Sequence, residues 1–212
     1  MMRGRFITFE GGEGCGKSTQ ARLLASSLQS GGIEVVLTRE PGGTPGAERI
    51  RDLLLAPDAP DWGPRAEALL FAAARSDHVF AAIQPALERG AWVVCDRFVD
   101  STRAYQGGEG DLRDEDILAL HRVGSNNLLP DLTILLSAQE DVLTERLRLR
   151  DGDQSDRIGG REIAFHRRVA ARFAAMAVEE PARFVTVSAA DSPEAVQGRV
   201  MAAIGERLGL PA

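Results

Sequence analysis

The chain has 212 residues and a formal net charge of −6, with 44% hydrophobic and 26% charged residues. This length suits one α/β domain with a full core, so we expect residues 1–212 to form a single domain. A nucleic-acid binder usually shows a basic stripe, and a membrane protein needs apolar runs of roughly 20 residues. The sequence has neither feature, so we expect small-molecule partners, no nucleic acid and no membrane.

The cysteines and the N-terminus indicate the compartment. Cys15 and Cys95 lack the spacing of a metal site, and two reduced thiols are typical of a cytosolic enzyme. Residues 1–5 lead directly into a strand pattern, without the apolar segment and cleavage site of a signal peptide. The sequence therefore predicts a cytoplasmic protein.

Strand-like and helix-like segments alternate along the chain, which predicts a parallel sheet with crossover helices. The strand candidates have short, nearly continuous apolar runs, as expected where both faces of a sheet are covered. In chain order they are residues 5–10, 34–38, 92–96, 132–136 and 184–187.

Helices are predicted between these strands, at residues 17–30, 47–55, 64–89, 115–123, 141–149, 161–178 and 193–208. Pro85 should kink the long helix 64–89 or mark a boundary in it. The expected core contacts of that helix are Leu69, Leu70, Ala73, Val79 and Phe80. Residues 150–160 are polar and glycine-rich between two helices, which predicts a mobile lid at about 150–160.

Residues 11–18 fit the pattern G-x-x-x-x-G-K-[ST] of a phosphate-binding loop at every fixed position, between a strand and a helix. The glycines let successive backbone N–H groups face phosphate oxygens, and the helix N-terminus adds its dipole. Lys17 is expected to reach the β- and γ-phosphates, and the Ser18 hydroxyl to hold Mg²⁺. The predicted nucleotide-binding residues are Gly11, Gly12, Glu13, Gly14, Cys15, Gly16, Lys17, Ser18 and Thr19.

The loop and the alternating elements together predict an α/β fold of the P-loop NTPase type. We expect a phosphotransferase with a five-stranded parallel sheet flanked by helices, and with ATP and Mg²⁺ as cofactors. The thiol of Cys15, inside the loop, has two interpretations. It is either inert through burial, which we favour, or its pKa is lowered by the helix end.

Asp96 and Arg97 close the third predicted strand. Ligands of parallel sheets bind beyond the carboxyl ends of the strands, so this pair is expected to point into the site. Asp96 is a candidate for the Mg²⁺ shell, and Arg97 is a candidate for bridging two phosphates. The alternative is an ion pair on the surface.

Several segments, taken in order, resemble the thymidylate kinase family. They are residues 9–19, 38–44, 70–75, 96–98 and 101–107, with weaker support from residues 130–133 and 156–158. The resemblance covers residue 6 to about residue 190. It implies a homodimeric kinase that transfers the γ-phosphate of ATP to dTMP, giving dTDP for dTTP synthesis.

The resemblance also implies which residues bind the acceptor base. Phe71 is similar to the residue that stacks on thymine, a use of the aromatic face. Arg75 lies four positions later, on the same helix face, and would donate to the base O4. Thr102 would hydrogen-bond the base edge, with Gln106 nearby.

Sugar and phosphate contacts follow from the same resemblance. Tyr105 is similar to the ring that packs against C2′ and disfavours ribose. Arg51 and Arg97 would clamp the acceptor phosphate, and Glu13 would lie near the sugar 3′-OH. Glu40 is similar to an acidic residue of the acceptor pocket, with no particular contact implied.

The chain departs from the family pattern at two places. Some members carry a catalytic arginine in the phosphate loop, where this chain has Gly14, so it resembles the bacterial subgroup that supplies this arginine from the lid. The arginines available for this role are Arg146, Arg148, Arg150 and Arg157. Arg150 is the favoured catalytic residue beside Lys17 and Arg97, with Arg157 as the alternative, and Arg146 is expected near adenine. The chain also reads Leu136-Ser137 where relatives often have an aspartate.

Two other functions remain open from the sequence. One is a different nucleotide or nucleoside kinase, against which Phe71, Arg75 and Tyr105 argue together. The other is an ATP-binding switch that uses the loop without an acceptor. The sequence offers no extra effector domain for such a switch.

Overall fold

The structure is a computed structural model that describes residues 3–56, 59–107, 112–139, 142–143, 146 and 163–209. Five strands form one parallel sheet in the order β2-β3-β1-β4-β5. They are β1 (Phe6–Glu10), β2 (Val35–Arg39), β3 (Trp92–Asp96), β4 (Leu132–Ser137) and β5 (Phe184–Ser188). The predicted sheet is confirmed, with every strand end within one residue of its expected position.

Helices cover both faces of the sheet. They are α1 (Lys17–Ser30), α2 (Pro45–Leu55), α3 (Gly63–His78), α4 (Gln84–Glu88), α5 (Val99–Tyr105), α6 (Asp114–Ser125), α7 (Ile163–Glu179) and α8 (Pro193–Leu208). Helix α5 was not expected from the sequence. The predicted helix at 141–149 lies mostly outside the described residues, although Val142, Leu143 and Arg146 are helical.

The core lies on both sides of the central strand β1. Ile7 and Phe9 pack on one side with the buried residues of α1 and α8, such as Leu24 and Ile204. Phe6 packs on the other side with the residues before β3. Burial on both faces explains why the strand sequences are nearly continuous apolar runs. Within the described ranges, the helices lack the length and apolarity of a membrane span.

The long helix predicted at 64–89 is interrupted. Helix α3 ends at His78, a π-helical turn follows at Val79–Ile83, and α4 begins at Gln84. Pro85 lies in the first turn of α4, where its missing N–H and fixed φ disturb the regular hydrogen-bond ladder. The expected boundary near Pro85 is therefore present.

The prediction for the core-facing side of this helix is wrong at three positions. Leu69 is 56% exposed, Phe80 is 82% exposed and Ala73 is exposed, while Val79 is buried as expected. The side of α3 that faces inward instead carries polar groups, including Arg75 and His78. These side chains can be buried because each has a hydrogen-bonded partner, which removes most of the cost of burying a polar group.

Buried ion pairs fix helix α5 beside the sheet. The Asp100 carboxylate is fully buried and accepts hydrogen bonds of 3.0 Å from Arg103 and 2.6 Å from Arg183. Arg103 also donates to Glu180 at 2.6 Å. Burial alone would raise the pKa of Asp100, but the hydrogen bonds and charges of Arg183 and Arg103 hold it below its usual value. The helix therefore presents its cleft-facing residues from a fixed position.

Candidate active site

A cleft of about 570 Å³ opens at the carboxyl ends of β1, β2 and β3. Ligand sites of parallel α/β sheets lie at this edge. The predicted site residues in its lining are Glu13, Gly14, Gly16, Lys17, Ser18, Thr19, Glu40, Arg51, Phe71, Arg75, Asp96, Arg97, Thr102, Tyr105, Gln106 and Arg146. Gly11, Gly12 and Cys15 belong to the loop but not to this lining, and Arg150 lies outside the described residues.

Lys17 makes hydrogen bonds across the phosphate loop to which it belongs. Lys17, the only lysine of the chain, is buried, and its Nζ donates to the carbonyls of Gly11 at 3.0 Å and Gly12 at 2.6 Å. Gly11 has φ 134°, and a Cβ there would lie 2.4 Å from the Leu136 carbonyl oxygen. Burial, followed by the charge of Arg97, lowers the pKa of Lys17.

Cys15 is a buried thiol in this loop. Burial raises its pKa above the ordinary value, although the nearby cations Lys17 and Arg97 act in the opposite direction. The interpretation of a thiol activated by the helix end is therefore wrong, and the favoured inert thiol is the one the structure supports.

Ser18 and Asp96 form the predicted metal-binding pair. The Ser18 hydroxyl donates to Oδ2 of Asp96, while Oδ1 of Asp96 is buried without a hydrogen-bond partner among the described residues. A hydroxyl and an unpartnered carboxylate oxygen at the edge of a phosphate site are oxygen ligands of the kind that Mg²⁺ prefers. The two residues therefore fit the requirements of a magnesium ion, which they would hold from the protein side.

Arg97 follows β3 in a left-handed conformation with φ 69°, which is uncommon outside glycine. Its Nη2 donates to Oε1 of Glu13 at 2.5 Å, and its Nη1 donates to the Ser101 hydroxyl at 3.1 Å. The guanidinium also lies over the Tyr105 ring, 5.1 Å from the centroid. Arg97 is thus held between the phosphate loop and helix α5.

Glu10 supports this turn and was missed by the sequence analysis. Its Oε1 accepts from the backbone N–H of Phe98 at 2.7 Å, and its Oε2 lies 2.6 Å from the Ser101 hydroxyl. Burial, with the nearby Asp100 charge, raises the pKa of Glu10 to about 8. The feature of the sequence that could have indicated Glu10 is a carboxylate at the end of an otherwise apolar strand.

The raised pKa of Glu10 makes stability depend on pH. Because the folded pKa of about 8 exceeds the ordinary value of 4.5, this group's contribution is complete below pH 4.5 and is lost as the pH rises through 8. Glu10→Gln keeps the shape and cannot ionise. We expect the Tm of Glu10→Gln, measured by calorimetry, to rise relative to that of the wild type as the pH increases from 4.5 to about 8. Glu206→Gln, at an exposed carboxylate, is the control, and a parallel pH course for Glu10→Gln and the wild type would contradict the assignment.

The residues predicted to bind the base meet on one side of the cleft. Arg75 donates from Nε to Glu40 and from Nη2 to the Thr102 hydroxyl, both at 2.8 Å. Gln106 donates from Nε2 to Glu67 at 2.9 Å, and both side chains are buried. Phe71 is half-buried in the lining, one turn of α3 before Arg75.

The residues expected at the sugar and the phosphate surround the same cleft. Tyr105 donates its hydroxyl to Oε1 of Glu13 at 3.3 Å, and its ring packs edge-on against Phe165. Arg51 donates from Nη1 to the Pro41 carbonyl at 2.8 Å. Glu40, for which the sequence implied no contact, pairs with Arg75.

Arg146 reaches the cleft from the other side. Its guanidinium donates to the carbonyls of Ala189 at 2.7 Å and Asp191 at 3.2 Å. Arg148, Arg150 and Arg157, the other candidate arginines, lie outside the described residues. The sequence analysis missed further lining residues, which are Arg22, Arg39, Pro41, Leu55, Phe98 and Ser101. The position of Arg22, one helical turn after Ser18, was the available signal for that residue.

A parallel sheet with the phosphate loop after its central strand places the chain among P-loop kinases of the nucleoside monophosphate kinase type. A family model described as thymidylate kinase matches residues 9–200. The chain belongs to the thymidylate kinase family, which confirms the resemblance of its motifs.

Individual relatives cover nearly the whole chain. The thymidylate kinase of Rhizorhabdus wittichii is 54% identical over 207 residues, which are 98% of this chain and 100% of that protein. The thymidylate kinase of Bradyrhizobium diazoefficiens is 49% identical, over 97% of this chain and 91% of that protein. The crystal structure of thymidylate kinase from Ehrlichia chaffeensis superposes with a TM-score of 0.76 at 32% identity, over 95% and 99% of the two chains.

Proposed function

We propose that this protein transfers the γ-phosphate of ATP to dTMP and produces dTDP. One observation carries the proposal: the phosphate loop and the pocket of Phe71, Arg75 and Thr102 line one continuous cleft. A donor nucleotide on the loop and a nucleotide acceptor in the pocket would therefore meet with their phosphates between Lys17 and Arg97. Membership of the thymidylate kinase family supports dTMP as the acceptor.

The chemistry of Arg75 supports the choice of base. A guanidinium is always protonated and only donates hydrogen bonds, so it favours a base edge that accepts them. The O4 carbonyl of thymine is such an acceptor, whereas the 4-amino group of cytosine is a donor. The aromatic face of Phe71, exposed to the same cleft, offers a stacking surface for the ring.

Positioning and charge dominate the proposed mechanism. The acceptor phosphate is already ionised, so it attacks the γ-phosphorus in line without a strong general base. Lys17 and Arg97 would stabilise the charge that spreads over the transferred phosphoryl oxygens. Ser18 and Asp96 would hold Mg²⁺, which when bound neutralises phosphate charge. The segment at about 150–160 would close over the cleft and exclude water, with Arg150 as the third catalytic cation and Arg146 toward adenine.

A panel of acceptors tests the function directly. We expect rapid ADP formation only when dTMP is added, since a nucleotide switch would show no such dependence. The single methyl group of thymine is worth roughly 1–3 kcal/mol, so dUMP should react more slowly but measurably. Purine monophosphates and dCMP should fail more completely than dUMP, leaving only a low residual rate. Equal turnover of dCMP and dTMP would refute the assignment of the acceptor.

Tyr105 is expected to exclude ribose by packing against C2′ of the acceptor sugar. Tyr105→Ala should lower the preference for dTMP over its ribose counterpart, with the KM for ATP largely unchanged. Tyr105→Phe is the matched control, because it keeps the ring and loses only the hydroxyl contact with Glu13. Steady-state kinetics with both acceptors measures the effect. If Tyr105→Ala keeps the full preference for deoxyribose, the ring does not exclude ribose and only packs against Phe165.

We also propose that residues 1–212 act as one cytoplasmic kinase domain and that two copies associate. The two thiols are free and buried, in keeping with a reducing compartment. Leu69, Ala73 and Phe80 form an exposed apolar stripe at helical spacing along α3 and the π-helical turn. Exposed apolar residues at such spacing are typical of an association surface.

The oligomeric state tests this association. Phe80→Glu should shift the protein toward a monomer, because a charge would be buried without a partner between two copies. Val178→Glu is the control at another exposed hydrophobic residue, on α7, which is 79% exposed. Sedimentation velocity distinguishes the outcomes. A dimer that survives Phe80→Glu would place the association elsewhere.

A further inference from the structure

A chain of polar groups runs from β2 to the base pocket. The Thr38 hydroxyl lies 2.7 Å from Nε2 of His78, and Nδ1 of His78 lies 3.0 Å from Oε1 of Glu40. The other carboxylate oxygen of Glu40 accepts from Nε of Arg75, which continues through Nη2 to Thr102. His78, Glu40, Arg75 and Thr102 are all buried.

The Glu40 carboxylate fixes the direction of its hydrogen bond with His78. A carboxylate paired with a guanidinium accepts only, so the His78 ring must donate from Nδ1 to Glu40. Nε2 of the ring is in hydrogen-bond contact with the Thr38 hydroxyl. Both nitrogens of His78 are thereby used inside the protein, and the ring serves to hold Glu40.

Glu40 in turn fixes Arg75. An arginine side chain has several rotatable bonds, and a single contact would leave its guanidinium plane free to turn. Contacts at Nε and Nη2 with two buried partners define that plane. The fixed plane decides which hydrogen bonds Arg75 can offer to a base in the cleft that it lines.

The backbone makes room for this arrangement at Gly43. A Cβ at this position would lie 2.4 Å from the Thr38 hydroxyl oxygen and 2.6 Å from Nε2 of His78. Gly43 also has φ 86°, which favours glycine. The contact between Thr38 and His78 therefore depends on the missing side chain. The same short segment, residues 38–44, supplies Thr38, Glu40 and Gly43.

We propose that His78, held by Thr38, is a positioning residue for base selection, acting through Glu40 on the guanidinium of Arg75. The proposal rests on the proposed function, since it concerns the pocket for the acceptor base. His78 does not line the cleft, so it acts without touching the nucleotide. It keeps the donors of Arg75 aimed at a base that carries a carbonyl at position 4.

His78→Leu removes the donor to Glu40 and leaves Arg75 itself intact. Small misplacements of a positioning group cost up to about a hundredfold in rate, so we expect the ratio of kcat/KM for dTMP over dCMP to fall about tenfold or more. The KM for ATP should stay within about twofold of the wild-type value, as the phosphate loop is untouched. His78→Asn retains an N–H donor on a short side chain and should preserve more of the ratio.

Thr38 supplies a second, milder test. Thr38→Val removes the hydroxyl and should lower the ratio in the same direction, whereas Thr38→Ser should keep it. Thr38→Val decides the question if His78→Leu does not fold, which a thermal melt will show. Equal losses on dTMP and dCMP in these variants, with an unchanged ratio, would overturn the positioning role. A wild-type protein that does not prefer dTMP would instead overturn the proposed function.

Discussion

Lys17→Ala is expected to lower kcat by about 10²–10³-fold, the loss typical of removing one preorganised donor from a charged transition state. In the structure Lys17 donates to the carbonyls of Gly11 and Gly12, so its ammonium lies beside the loop where the phosphates are expected to bind. The ammonium can exchange these carbonyls for phosphate oxygens. Burial lowers the pKa of Lys17, and the negative charge of bound phosphates would act in the opposite direction and favour the ammonium.

Rapid-quench measurement of a single turnover separates this loss of chemistry from a loss of ATP binding. Arg89→Ala is the control for loss of one positive charge, because Arg89 is exposed and pairs with Glu34 away from the cleft. A folded Lys17→Ala protein with kcat within about threefold of the wild type would remove Lys17 from the mechanism.

Arg150→Ala should lower kcat by about 10³–10⁵-fold, the range for an arginine that stabilises the transferred phosphoryl group. Gly14 leaves the phosphate loop without a side-chain cation beyond Lys17. Arg97 is already paired with Glu13, which leaves charge for a further arginine to neutralise. Arg150 lies outside the described residues and follows the anchored Arg146 by four positions.

The contact of Arg150 would form mainly in the transition state, so kcat should fall far more than the KM for dTMP rises. Arg148→Ala is the neighbouring control and should matter little. A collapse of kcat for Arg157→Ala, with Arg150→Ala close to the wild type, would move the role to Arg157. If neither variant slows the reaction, the lid does not supply the catalytic arginine.

The strands and the phosphate loop could be predicted because their signals are local. A buried parallel strand is a short apolar run, and the loop has fixed spacing between a strand and a helix. The sheet of five strands and the family membership are confirmed accordingly. The predicted residues around Lys17, Arg75 and Arg97 also meet in one cleft, although their roles remain predictions.

Helix α3 shows why the rest could not be predicted. Leu69 of α3 and Phe80 of the following π-helical turn were predicted to face the core, but α3 turns Arg75 and His78 inward instead. The partners that make this burial possible come from distant segments; Glu40, for example, lies 35 positions before Arg75. Periodicity within one helix contains no information about such partners. Glu10 and Asp100 were missed for the same reason.

The single lysine of the chain gives the protein one cleavage site for a lysine-specific protease. A lysine-specific protease has one place to cut, after Lys17, at the start of α1 and under the phosphate loop. Because Lys17 is buried, cleavage requires that the loop and the first turn of α1 open. The rate of this single cleavage therefore measures how often the nucleotide site opens. Saturation with ATP should slow the cleavage, because bound ATP stabilises the closed loop.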